Sequence, residues 1–168
     1  DISQVAVTGT GRASNVNAVT SSLLTLENMA NNGTLELTGT ATGTVVTMTD
    51  ATGTADTFNI LIGDNAGNVG TVNVNGVETI NVTTTNTFVD KTGGKDGNNG
   101  NIADGKDDTT SAATLLVSAD AAKTVNVSGA GDLILDTTSS VLTKVDANAM
   151  TGKLVYTADG ATAGTTVI

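Results

Sequence analysis

The sequence predicts an all-β protein built as a solenoid-like stack of short strands, and three observations carry that expectation. Thr and Val are abundant, alongside Gly, Asn and Asp, in a chain of 168 residues with no Pro. β-Branched side chains are stiff at χ1 and fit a pleated surface, while Gly, Asn and Asp supply the special backbone conformations of tight turns. Short runs then alternate apolar with polar residues, as in Leu35-Glu36-Leu37-Thr38 and Val125-Asn126-Val127-Ser128, the period of a strand with one buried face. Finally, the aromatic residues are Phe58, Phe88 and Tyr156 alone. A core of Val, Leu, Ile, Ala and Thr methyls makes thin, uniform layers, which stacked rungs tolerate better than a sandwich built around large side chains. A β-sandwich is the competing expectation, because run centres about ten residues apart suit it as well. Strand order separates the two: a solenoid pairs residues one rung apart, in parallel.

The strand-like runs fall, in order, at 5–8, 16–19, 23–26, 34–38, 44–49, 57–62, 71–74, 78–83, 114–118, 124–128, 132–136, 142–145 and 153–157. Turn residues separate them. Helix signals are weak: 21–30 could form a turn or two and 118–123 could cap one, but neither sustains a 3.6-residue period. A loose repeat joins Leu24-Thr25-Leu26-Glu27 and the following Gly33-Thr34-Leu35-Glu36 to Leu142-Thr143-Lys144-Val145-Asp146 and the following Gly152-Lys153-Leu154-Val155, with Val77-Glu78-Thr79-Ile80 as a shorter version. The runs at 5–8 and 164–168 carry no charge to block strand pairing, so both are expected to associate with further strands.

One stretch breaks the rhythm. Residues 90–111 contain five Gly, five Asp and one apolar residue larger than Ala, Ile102. The chain therefore divides into a β-rich module at 1–89, an acidic Gly/Asn loop at 90–113, and a β-rich continuation or second small module at 114–168. The loop is either a surface insertion or a cation site. Calcium takes six to eight oxygens from carboxylates, amides, carbonyls and water. The alternating oxygen donors of Asp96-Gly97-Asn98-Asn99-Gly100-Asn101 suit it, without the distal Glu of an EF-hand, and Asp90, Asp96, Asn98 and Asp104 are the candidate ligands. Asp50 with Asp56, ahead of Phe58, is a second candidate pair, and the turn at 63–68 is a third. Each of these turns equally fits ordinary Asx capping.

Charge and composition exclude much else. Seven Lys and Arg face seventeen Asp and Glu, a net charge of −10, which is wrong for neutralising phosphates, so no nucleic-acid partner is expected. Fourteen of the acids are Asp, so the acidity belongs to turns rather than to helix faces. The absence of His and Cys removes the usual zinc and haem ligands, the Ser-His-Asp triad and thiol nucleophiles. A carboxylate pair could in principle cleave a glycoside, but sugar clefts usually add aromatic platforms, and there is no Trp. The chain reads as a non-enzyme. No apolar run approaches the roughly 20 residues that cross a bilayer. Beginning at Asp1, without a signal segment, it reads as a piece of a longer protein.

Three segments together resemble a known family: 47–60 (TMTDATGTADTFNI), 76–83 (GVETINVT) and 142–154 (LTKVDANAMTGKL). They are similar to modules of bacterial surface-layer proteins of the calcium-dependent, RTX-associated type, the kind found in Caulobacter and Campylobacter. The resemblance runs from about Leu24 to the end. It implies an exported structural protein that attaches to cell-surface polysaccharide through other domains and crystallises with copies of itself into a two-dimensional lattice, calcium serving folding and lattice contacts. It also implies elongated, solenoid-like all-β bodies. The chain departs from the family in one respect. The nearest match to the tandem Gly-Gly-x-Gly-x-Asp repeat is the single Ser128-Gly129-Ala130-Gly131-Asp132, so the repeat arrays are expected outside this chain. A secreted adhesin or passenger domain is the alternative function; it predicts a monomer with a ligand, where the lattice predicts self-association without one.

Overall fold

The computed structural model describes residues 4–6, 12–13, 23–37, 41–63, 67–85, 112–159 and 164–168. Over these residues the chain is all-β. One seven-stranded sheet contains, in spatial order, β1 (Gln4–Ala6), β3 (Leu24–Met29), β5 (Gly43–Met48), β7 (Asn68–Val74), β9 (Ala113–Ser118), β11 (Leu133–Thr137) and β13 (Leu154–Ala158). The other contains β2 (Arg12–Ala13), β4 (Gly33–Leu37), β6 (Thr57–Ile62), β8 (Thr79–Thr84), β10 (Thr124–Gly129), β12 (Lys144–Met150) and β14 (Thr166–Val167). Every strand pair is parallel. Consecutive strands alternate between the sheets, so each coil contributes one strand to each.

This strand order is that of a solenoid and not of a sandwich with antiparallel neighbours. One coil spans two of the runs in the sequence. Partners therefore lie 20 residues apart where Leu115 meets Leu135 and 22 apart where Phe58 meets Ile80. Between β8 and β10 the step is 45, Ile80 with Val125. β7 likewise pairs directly with β9, so both sheets run past the acidic stretch and the pairing is unbroken on either side of it.

Alternation explains the core. In the second sheet Gly33, Phe58, Ile80, Val125 and Val145 stand in one column, one coil apart, and all are buried. Leu35, Ile60, Val82 and Val127 form the next inward column. Across from them, Leu115 and Leu135 stack in the first sheet. One hydrophobic cluster runs from Leu24 to Val145. Parallel stacking sets like on like, so columns of medium-sized aliphatics fill the interior without large rings. Among the described residues Phe58 is the largest fully buried side chain, and it stands beside Gly33, where a neighbour without a side chain leaves room for it.

Several local expectations are corrected. Within 21–30, Leu24–Met29 form a strand, β3, extending the expected run at 23–26 in place of a helical turn, because Leu24, Leu26 and Met29 face the core. The last turn-to-strand boundary also moves: β12 is Lys144–Met150, and Leu142 is buried in the turn before it. The two full copies of the sequence repeat occupy opposite halves of the coil, since β3 to β4 passes from the first sheet to the second and β12 to β13 passes back. They share a strand-turn-strand pattern but are not equivalent positions. The expected run at 16–19 lies outside the described residues.

Corners need backbone that only certain residues adopt. Gly129 ends β10 at φ +108°, and a Cβ there would collide with the Thr84 carbonyl one coil away. That close approach lets the buried Thr84 hydroxyl donate to the Gly131 carbonyl at 2.9 Å and accept from the Gly131 N–H at 3.0 Å. The single RTX-like segment, 128–132, is therefore the corner from β10 to β11, closed by hydrogen bonds to the preceding coil.

Candidate functional site

Two arrangements of polar residues stand out, one at a corner and one on a sheet face. The corner column consists of the residues that lead into the second sheet. Asp56 O accepts from the backbone N–H of Glu78 at 3.2 Å and of Thr79 at 3.0 Å. Glu78 O accepts from Lys123 and Thr124 at 2.9 and 3.1 Å, and Lys123 O from Thr143 and Lys144 at 2.9 and 3.1 Å. The column thus runs acid, acid, base, with Asp56 and Glu78 one coil apart.

Asp56 is the buried member, 7% exposed. Its Oδ1 accepts from Asn31 Nδ2 at 2.8 Å, and its backbone N–H donates to Glu78 Oε2 at 3.0 Å. Asn31 Oδ1 in turn accepts from the Thr57 N–H at 2.9 Å. Three consecutive coils are tied through one residue, its carboxylate to Asn31 and its backbone N–H to Glu78. Its second oxygen, Oδ2, is buried without a hydrogen-bond partner and lies against Gly53. Asp50, in contrast, is exposed and caps its own turn: Oδ1 accepts from the Thr52 N–H at 2.9 Å and the Thr52 hydroxyl at 2.7 Å. The Thr52 hydroxyl, followed by the Thr52 N–H, holds the Asp50 carboxyl below the usual carboxylate value.

This geometry bears on the calcium expectation. Asp50 and Asp56 are drawn into separate hydrogen-bond sets, Asp50 Oδ1 with Thr52 and Asp56 Oδ1 with Asn31, where calcium needs six to eight oxygens around one point. Among the described residues no group of three or more Asp and Glu is placed to hold a metal. The other candidates, Asp90, Asp96, Asn98 and Asp104, lie outside the described residues, as do 64–66 of the third candidate turn. Within that turn, Asn68 Oδ1 accepts from the Gly70 N–H at 2.9 Å.

The sheet-face arrangement is an asparagine ladder that sequence reasoning missed. Asn59, Asn81 and Asn126 are register partners on the outer face of the second sheet. Asn126 Nδ2 donates to Asn81 Oδ1 at 2.8 Å, and Asn81 Nδ2 donates to Asn59 Oδ1 at 2.8 Å. Asn59 Nδ2 ends the ladder on the Asn32 and Gly33 carbonyls at 3.0 and 3.2 Å. The next register position after Asn126 is Asp146, which has no N–H to give, so the ladder stops there. Asp146 instead takes Lys144 Nζ at 2.8 Å and the Asn148 N–H at 3.1 Å, and these two bonds, Lys144 first, hold its carboxyl below the usual value. The signal was present as Thr-x-Asn-x at 57, 79 and 124, hidden by the uneven coil lengths. Beside the ladder, Thr57, Thr79 and Thr124 form one outer column, and Thr83 Oγ1 meets Ser128 Oγ at 3.0 Å.

The stack ends differ from its middle. β13 and β14 pair on one side only, as do β1 and β2 at the other end. Leu133, Leu135 and Val145 are fully buried, whereas in the last coil Val167, the register partner of Val145, and Ile168 are 51% and 48% exposed. Tyr156 is half-buried over the end of the core, its hydroxyl 2.9 Å from the Thr137 hydroxyl.

Fold and polar columns together define a two-sheet parallel β-solenoid. Comparison with protein-family models, with curated proteins and with solved structures found no match.

Proposed function

We propose that this chain is a non-catalytic structural module of a bacterial surface layer, exported to the cell surface and assembling with copies of itself. The observation that carries the reading is the parallel pairing that runs through both sheets, ending, among the described residues, in strands that pair on one side only. A coil of this geometry adds to another by the same backbone bonds that join coils within the chain. Strands β13 and β14 contain no charged residue, Pro or bulge that would protect an edge. Cross-coil hydrogen bonding, in the asparagine ladder and at the Thr84 corner, suits a rigid spacer that bears load along its axis. Attachment to cell-surface polysaccharide belongs, in this reading, to other domains of a parent protein.

The test is self-association. Sedimentation velocity and negative-stain electron microscopy, with and without calcium, should show concentration-dependent assemblies, and Thr157→Lys in the β13 edge should suppress them. A strict monomer at high concentration in calcium would overturn the lattice role; a monomer that captured a cell-surface ligand would favour an adhesin.

A further inference from the structure

We propose that Asn75 is a site of spontaneous deamidation assisted by the fold, with Asp120 acting as general base on the backbone nitrogen of Gly76. Asn75 and Gly76 form the turn between β7 and β8. Asn75 is exposed, so ammonia can leave and water can enter. Gly76 has no side chain to obstruct attack, sits at φ +73°, and is held with its Cα over Ala51, where a Cβ would lie 2.7 Å from the Ala51 Cβ. The turn is thereby fixed from one side by the preceding coil. From the following coil, Asp120 Oδ1 accepts the Gly76 N–H at 2.8 Å.

That hydrogen bond is the distinguishing feature. Succinimide formation requires the Gly76 nitrogen to attack Asn75 Cγ, and the nitrogen is a poor nucleophile until its proton leaves. A carboxylate within hydrogen-bond reach is the arrangement of a nucleophile with its base. The bond between Gly76 N and Asn75 Cγ forms as the N–H proton passes to Asp120. The Cγ–Nδ2 bond then breaks, and the same proton returns to the departing nitrogen, which leaves as ammonia. Water opens the ring at either carbonyl, giving aspartate or isoaspartate. The product adds a negative charge to a chain already at −10, at a corner beside Asp120, and the isoaspartate form lengthens the backbone where coils are stacked.

The molecule contains its own comparison. Asn32-Gly33 is the same dipeptide at another corner, but Gly33 is buried and its N–H is given to the Ala30 carbonyl at 2.9 Å, while the Asn32 N–H is held by the Thr57 carbonyl at 2.8 Å. A carbonyl is no base for this step, and the nitrogen is locked away from water.

The experiment is tandem mass spectrometry of proteolytic peptides from the whole chain, aged at neutral pH in its folded state and, in parallel, in guanidinium chloride. Folding should accelerate conversion at Asn75 by about a hundredfold, the lower end of general-base contributions, and slow it at Asn32. Asp120→Asn keeps a hydrogen-bond acceptor but no base, and should lower the folded rate at Asn75 by about a hundredfold while leaving Asn32 unchanged. Slower conversion at Asn75 in the folded chain than in denaturant would overturn the proposal. So would an unchanged or faster rate in Asp120→Asn with circular dichroism and the Asn32 rate unaltered.

Discussion

Asn81 Nδ2 donates to Asn59 Oδ1 at 2.8 Å across one coil, and Asn81 Oδ1 accepts from Asn126 at the same distance from the next. The middle amide therefore makes two ladder bonds where Asn126 makes one. A net hydrogen bond is worth about 1 kcal/mol. Asn81→Ala should cost about 2 kcal/mol by urea denaturation and Asn126→Ala about half that. Equal costs would mean that the ladder contributes little beyond side-chain packing.

The corner glycines offer a sharper contrast. Gly129 and Gly164 both have positive φ, at +108° and +123°, but a Cβ on Gly129 meets the Thr84 carbonyl while one on Gly164 meets nothing among the described residues. Gly164→Ala should cost only the backbone term, about 1–2 kcal/mol. Gly129→Ala should cost more, because the coil-to-coil approach must open and the Thr84 hydroxyl loses its partners. Thermal melts of the two variants measure the difference directly.

In the core, Phe58→Ala removes the largest fully buried side chain from a column flanked by Ile80 and Gly33. The expected loss is about 3–5 kcal/mol, a large share of the roughly 5–15 kcal/mol of a typical domain. Phe58→Leu should cost clearly less, since the smaller change in volume leaves a smaller void.

Acid stability follows from two surface carboxylates, Asp50 exposed and Asp146 partly covered. Asp50 and Asp146 are both held below the usual carboxylate value, by Thr52 and by Lys144 with Asn148 respectively. A lowered folded-state value means stability that is present above the unfolded value, about 4, and is lost as pH falls through the folded one. Melting temperature should therefore drop only below about pH 4. Lys144→Ala should raise the Asp146 titration midpoint in carboxyl-resolved NMR without moving that of Asp50.

Calcium is tested by chelation. A ligand of the folded state adds about 2.7 kcal/mol at a hundredfold excess over Kd. If the 90–111 stretch holds the ion, chelator lowers the melting temperature, calcium restores it where NaCl of equal ionic strength does not, and Asp96→Ala or Asp104→Ala blunts the response. Asp56→Ala should lower the melting temperature equally with and without calcium, since the Asp56 carboxylate holds Asn31 of the preceding coil. A calcium response abolished by Asp56→Ala alone would reverse that assignment.

The all-β class, the alternation of Leu35 with Glu36 or Val125 with Asn126, and a core without large rings were all written in the sequence by itself, because strand period and side-chain volume are local properties. The parallel solenoid could be expected on the same grounds. Tertiary structure alone decided which residues became neighbours. Coils of 20, 22 and 45 residues bring Leu115 onto Leu135, Phe58 onto Ile80 and Ile80 onto Val125, and no local pattern specifies those steps. Asn59, Asn81 and Asn126 therefore form a ladder that composition conceals. Asp50 and Asp56, six residues apart in a turn rich in oxygen donors, look like one site in the sequence. They part in the fold because Asp56 is buried against Asn31 from the preceding coil, whereas Asp50 stays in solvent with a hydrogen-bond partner two residues away.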